Sequence, residues 1–247
     1  MNLEPDILLP ACIAGLLVLA THIPFGMRVL QRGVIFADLA VAQIAGLGVV
    51  AAGMLDLTGQ PLLVQVIAAG SALGGAALLA WIERRLPEVK EACIGLTFVL
   101  AASLGMLLLS RDVHAGERLQ DLLVGQVLWV NDAQLLATAT LSALLLAVWY
   151  GLRRRLGDLG FYALFALAIT ASVQLVGIYL VFASLIIPAL ATHRLQHRRI
   201  STAFFIGIIG YALGLLLSVW LDLPAGAAIV WAMALTGIPF TLLKRAA

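Results

Sequence analysis

The stretch GFYALFALAITASVQLVGIYLVFASLIIPALAT, residues 160–192, decides how this chain folds. A helix needs roughly 20 apolar residues to cross about 30 Å of hydrocarbon. The stretch is therefore too long for one crossing and short for two. Gly177 and Pro188 stand inside it, which predicts short or broken helices. Irregular backbone at membrane depth is tolerated where protein or a cavity satisfies its polar groups.

Outward from this stretch, further apolar runs cover 8–27, 34–54, 62–82, 92–110, 134–152, 200–220 and 225–243, separated by charged or Gly/Pro-containing turns. They leave no room for a separate soluble domain, so residues 1–247 are read as a single transmembrane domain. Only 11% of the 247 residues are charged and 63% are apolar, whereas a soluble domain carries about 25% charged residues. So few charges cannot build a water-facing surface, which argues against a soluble enzyme. The opening MNLEPD is acidic and lacks the basic region of a secretory signal, so the first run is expected to stay as a span. Cys12 and Cys93 fall in apolar stretches and read as packing residues with no disulfide framework.

Charge bias settles the count of crossings. Cytoplasmic loops are enriched in Lys and Arg. With the N-terminus outside and 160–192 crossing twice, 13 Lys and Arg side chains lie inside and only Arg111 and Arg118 outside. A single crossing would leave 8 inside and 7 outside. The expected fold is an all-α polytopic membrane protein of eight to nine transmembrane helices, N-terminus out and C-terminus in. The outer segment LLVGQVLWV (122–130) is too short to span and reads as re-entrant or surface-lying. The outer loops then carry a net charge of −6, a field that would concentrate cations at an entrance. Positive-inside sorting alone leaves the same acids behind.

Two ionisable side chains lie well inside these runs, His22 and Asp38. An intramembrane charge is costly, and its default reading is functional. Asp38 lies roughly a turn into the second run and His22 roughly a turn from the inner end of the first, and a hairpin of the two runs would let them approach. A carboxylate with an imidazole suits zinc or manganese, or a proton relay. The bland alternatives are an acid at a helix N-terminus, favoured by the dipole, and a packed histidine. Gln43 and Gln174 either line a path or bond between helices. The pairs Gly70–Gly74 and Gly210–Gly214 have the spacing of close helix contacts. His193 and His197 read as solvated loop residues.

Enzyme motifs are absent: there is no HExxH and no GxSxG. The two lysines, Lys90 and Lys244, have neither a preceding glycine nor a following Ser or Thr, so there is no Walker A loop. Any ATP must be handled by another chain.

Three segments resemble the permease subunits of zinc/manganese-type ABC transporters. RVLQRGVIFADLAVAQIAGLG (28–48) is similar to that family's turn after the first span, with Arg32 and Asp38 six residues apart. GIYLVFASLIIPALAT (177–192) is similar to its Gly-to-Pro-Ala segment, and LDLPAGAAIV (221–230) to its last outer turn. VGQVLWVNDAQL (124–135) is a weaker match. The resemblance implies a permease homodimer, two copies of a separate ABC ATPase subunit on the cytoplasmic face, and an external solute-binding protein, in a bacterial inner membrane. No nucleic-acid partner is expected.

Two departures stand out. Many relatives follow the aspartate with histidines four and eight positions on, where this chain has Ala42 and Gly46; Gln43 lies about 140° round the helix. Only Asp38 carries over as a ligand. Between spans five and six, where relatives dock on their ATPase, RRRLGDLGF (153–161) is short. Arg153, Arg154, Arg155 and Asp158 are its candidate docking residues, with 83–91 or 193–199 as alternatives.

The resulting expectation is an ABC permease importing a divalent metal, zinc or manganese, as substrate, with no permanently bound cofactor. Asp38 is the transient metal contact, joined by His22, and Gln43, Gln174, Gly177 and Pro188 belong to the pathway or gate. The alternatives are a proton-coupled secondary transporter and an ABC permease for a metal chelate.

Overall fold

A computed structural model describes residues 5–55, 57–110, 123, 125, 127–152, 155–195 and 197–242. Nine α-helices run through them: α1 (Pro5–Arg32), α2 (Ala37–Met54), α3 (Pro61–Arg85), α4 (Lys90–Leu109), α5 (Asp132–Leu152), α6 (Asp158–Val176), α7 (Ile178–Ala191), α8 (Arg199–Leu221) and α9 (Ala225–Leu242). Seven are long and apolar enough to cross a membrane, while α7 and α9 are shorter apolar helices. The chain is an all-α polytopic membrane protein. The helical state follows from the solvent: every backbone N–H and C=O in hydrocarbon must be satisfied, and a helix does this within one segment.

The run 160–192 is two helices. α6 ends at Val176 and α7 starts at Ile178, with Gly177 between them at φ +79. Pro188 does not break α7, which continues to Ala191. The proline lacks the N–H that would bond the Ser184 carbonyl, and the turn beyond it closes through the Thr192 N–H, which donates to the Pro188 carbonyl at 3.2 Å.

By contacts the chain divides into two compact units interleaved in sequence. The first comprises residues 1–32, 123–144 and 172–247. In it α1 packs on α7 and α8, and α9 packs on α8 and α7. Glycines set the closeness of these contacts. A β-carbon on Gly26 would strike the Leu185 carbonyl, one on Gly15 the Tyr211 ring, and those on Gly210 and Gly214 the backbone of Met233 and Ile229. The Gly210–Gly214 pair is the helix contact its spacing predicts.

The second unit comprises residues 33–122 and 145–171, and in it α2 packs against both α3 and α4. The other small-residue pair, Gly70–Gly74 on α3, corrects the expectation from spacing. Among the described residues nothing lies within 4 Å of a β-carbon at either position. Gly75 faces Ile44 of α2 instead, so the contact face of α3 is rotated by one residue, about 100°. Trp149 of α5 and Phe161, Tyr162 and Phe165 of α6 form an aromatic cluster in this unit, with successive ring centroids 5.2–5.8 Å apart.

Candidate functional site

Asp38 stands in the first turn of α2, because the helix begins at Ala37 rather than at the start of the apolar run. That places the carboxylate at the helix N-terminus, where unsatisfied N–H groups favour negative charge. It is not a solvated interfacial acid, since it is only 1% exposed. Among the described residues neither of its oxygens has a hydrogen-bond partner. The N–H groups of Asp38 and Leu39 act on it, but neither closes a bond of good geometry.

A second acid meets it there. Glu91, in the first turn of α4, accepts the Phe36 N–H through Oε1 at 3.1 Å. Phe36 immediately precedes α2, so Glu91 caps that helix from another one. Its charge acts on Asp38. Its Oε2 has no partner among the described residues. Glu91 was not singled out in the sequence, where it reads as one charge of the turn PEVKEA. The available signal was topological. Helices α2 and α4 run parallel, each with an acid in its first turn, so both acids arrive at one end.

His22 belongs to the first unit. It is fully buried in α1, ten residues before the helix end at Arg32, and so deeper than the apolar run suggests. Its Nδ1 lies 2.9 Å from the Val18 carbonyl and 2.9 Å from the Thr21 hydroxyl. A carbonyl only accepts, so Nδ1 carries the proton. In the neutral ring Nε2 then holds the lone pair, which is the arrangement of a metal-binding imidazole. Nε2 has no partner among the described residues.

The remaining pathway candidates scatter. Gln43 is half-buried on α2, and Gln174 is exposed on α6 three residues before the break. Gly177 and Pro188 are buried. Three segments that carried the family resemblance converge at one end of the first unit. Gly125 abuts the Val176–Gly177 peptide. Gly125 and Val127–Trp129, together with Leu223–Gly226, line a cleft of about 430 Å³.

Of the docking candidates, Arg153 and Arg154 lie outside the described residues. Arg155 is exposed. The Asp158 carboxylate accepts from Arg84 Nε at 3.4 Å, with the side chains 40% and 60% exposed. Arg84 belongs to the alternative segment 83–91, so two candidate docking elements adjoin in one unit.

A family model described as the ABC 3 transport family matches residues 4–157 and 147–243. Among solved structures the chain is similar to PsaBC from Streptococcus pneumoniae in complex with Fab. The identity is 20% over 98% of this chain and 93% of that chain, with a TM-score of 0.79. At that identity the likeness is one of fold.

Proposed function

From the membership of this chain in the ABC 3 transport family, which makes it an ABC transporter permease, we propose that it imports a divalent metal ion, zinc or manganese. The energy would come from ATP hydrolysis in a separate subunit that shifts the permease between outward- and inward-open states. A solute-binding protein would deliver the metal from outside, and two copies of the chain would form the permease in a bacterial cytoplasmic membrane. The arginine-rich helix ends would face the cytoplasm, with the N-terminus outside.

The observation that carries this reading is Asp38, a carboxylate that is 1% exposed and unbonded among the described residues. A buried charge without a partner is unfavourable, and a passing cation is a partner that a permease can supply transiently. His22, in the first unit, is a separate contact along the path in the same reading, its Nε2 unbonded among the described residues. The Gly177–Pro188 segment forms a wall or gate of the path, with Gln43 and Gln174 as further polar positions along it. The ATPase docks on the face that carries Arg155, Asp158 and Arg84, with Arg153 and Arg154 beside it in sequence. Membership in an ABC transport family favours this account over a proton-coupled carrier.

The test is uptake of labelled zinc and manganese by cells carrying Asp38→Ala, at matched membrane levels. Loss of uptake, with the chain still inserted and co-purifying with a Walker A-bearing partner, is expected. Full uptake by the mutant would remove Asp38 from the mechanism. Purification of the intact chain alone under several gentle conditions would remove the ATPase from it.

A further inference from the structure

Two acids meet at the N-terminus of α2, and one oxygen of four has a structural task. Glu91 Oε1 closes the free amide of Phe36. Glu91 Oε2 and both oxygens of Asp38 are shielded from solvent and unbonded among the described residues. No ion pair reaches either carboxylate among those residues. The nearby Lys90 ammonium is 3.7 Å from Glu83 and its charge also acts on Glu91. A helix N-terminus stabilises negative charge near its first turn, and Glu91 already supplies it. Asp38 adds a second, fully desolvated acid beside the first, and among the described residues no well-formed hydrogen bond or ion pair offsets that cost. Capping alone accounts for Glu91 but leaves three oxygens unbonded among the described residues.

We propose that Glu91 is a second direct contact for the transported cation, acting with Asp38 as a carboxylate pair at the start of α2. The proposal rests on the reading of the chain as a divalent-cation permease. The donors of the pair are all carboxylate oxygens, the set that suits Mn²⁺ among the transition metals. Two protein ligands leave the other coordination positions to water, so the ion is held loosely enough to move on.

Glu91→Gln separates this role from capping. The amide keeps a carbonyl oxygen for the Phe36 N–H and nearly the same shape, while the charge is lost. The full-length chain in lipid nanodiscs is titrated with Mn²⁺, read by loss of the free-ion paramagnetic resonance signal, and Mn²⁺ uptake is measured in cells. Glu91→Gln is expected to weaken binding about tenfold or more, the scale of one lost charge-assisted contact, with uptake reduced in parallel. Glu91→Asp, which keeps the charge, is expected to recover part of both. Unchanged binding and uptake in Glu91→Gln, with Asp38→Asn losing both, would make Glu91 a helix cap only and overturn the proposal while the permease reading stands. Equal losses in the Gln and Asp variants, or a Gln variant that aggregates, would mark a structural role and overturn it too. A wild-type chain that neither binds nor carries Mn²⁺ sinks the cation reading for this metal and the proposal together.

Discussion

Gly125 lies against the peptide that joins Val176 to Gly177, so closely that a β-carbon on Gly125 would run into that peptide's carbon and nitrogen. Both glycines have positive φ, +69 and +79. Gly177, with ψ 164, occupies backbone space that is essentially reserved for glycine. The break between α6 and α7 is thus locked by two residues that tolerate no side chain. Gly177→Ala is expected to cost about 1–3 kcal/mol from backbone strain. Gly125→Ala should cost more, since collision adds to strain. Melting temperatures of the purified chain in detergent check this, and two unchanged values would show that the break accepts side chains.

Asp38→Asn is expected to leave the melting temperature equal or higher while abolishing metal uptake. The substitution removes a desolvated charge that has no partner in the described protein, the pattern of a site kept for function at the expense of stability. A fall of more than about 4 °C, on the order of 1 kcal/mol or more for a chain of this size, would instead make the carboxylate structural.

The two small-residue pairs should respond oppositely to bulk. Gly214→Leu forces a side chain into the Ile229 backbone and is expected to destabilise by about 1–3 kcal/mol or more, as overpacking does. Gly70→Leu and Gly74→Leu add side chains to open space and should stay within about 0.5 kcal/mol of wild type. A large loss at Gly70 or Gly74 would reveal a contact that the single chain does not contain.

In the first unit the buried Ser184 and Tyr211 hydroxyls are 3.1 Å apart. Tyr211→Phe leaves Ser184 without that partner and is expected to cost about 0.5–1.5 kcal/mol. Adding Ser184→Ala should recover most of the loss, because replacing both partners by apolar groups is nearly neutral. A double variant no better than the single one would assign the loss to packing.

The Arg84–Asp158 pair is exposed, so Asp158→Asn should change stability by less than about 1 kcal/mol. If this face docks the ATPase, the variant will recover less of that subunit in co-purification. Undiminished recovery from both Asp158→Asn and Arg84→Ala would move the docking surface elsewhere.

Most of the fold was legible in the sequence because hydrocarbon permits so little else. Apolar runs of about 20 residues have one unstrained form there, and the split of 160–192 followed from its length, Gly177 and the charge bias. Pro188 was less legible. It stands in the last turn of α7, three residues before Ala191, so its missing N–H costs the helix one bond without ending it. Spacing alone could not separate Gly210–Gly214 from Gly70–Gly74, since a small-residue pair becomes a contact only where another helix faces it.

Composition, hydrophobic run length and the placement of Lys and Arg determined the all-α membrane class and an expectation of eight to nine helices, and singled out His22 and Asp38 as ionisable groups within the apolar runs. These are properties of each segment against its solvent. Tertiary structure decided what each group meets. It brought Glu91 from α4 to the start of α2, left Asp38 and Nε2 of His22 unbonded among the described residues, and seated Gly125 on the α6–α7 break. Each depends on a neighbour distant in sequence or on the local geometry of a turn, and segment hydrophobicity carries no record of either.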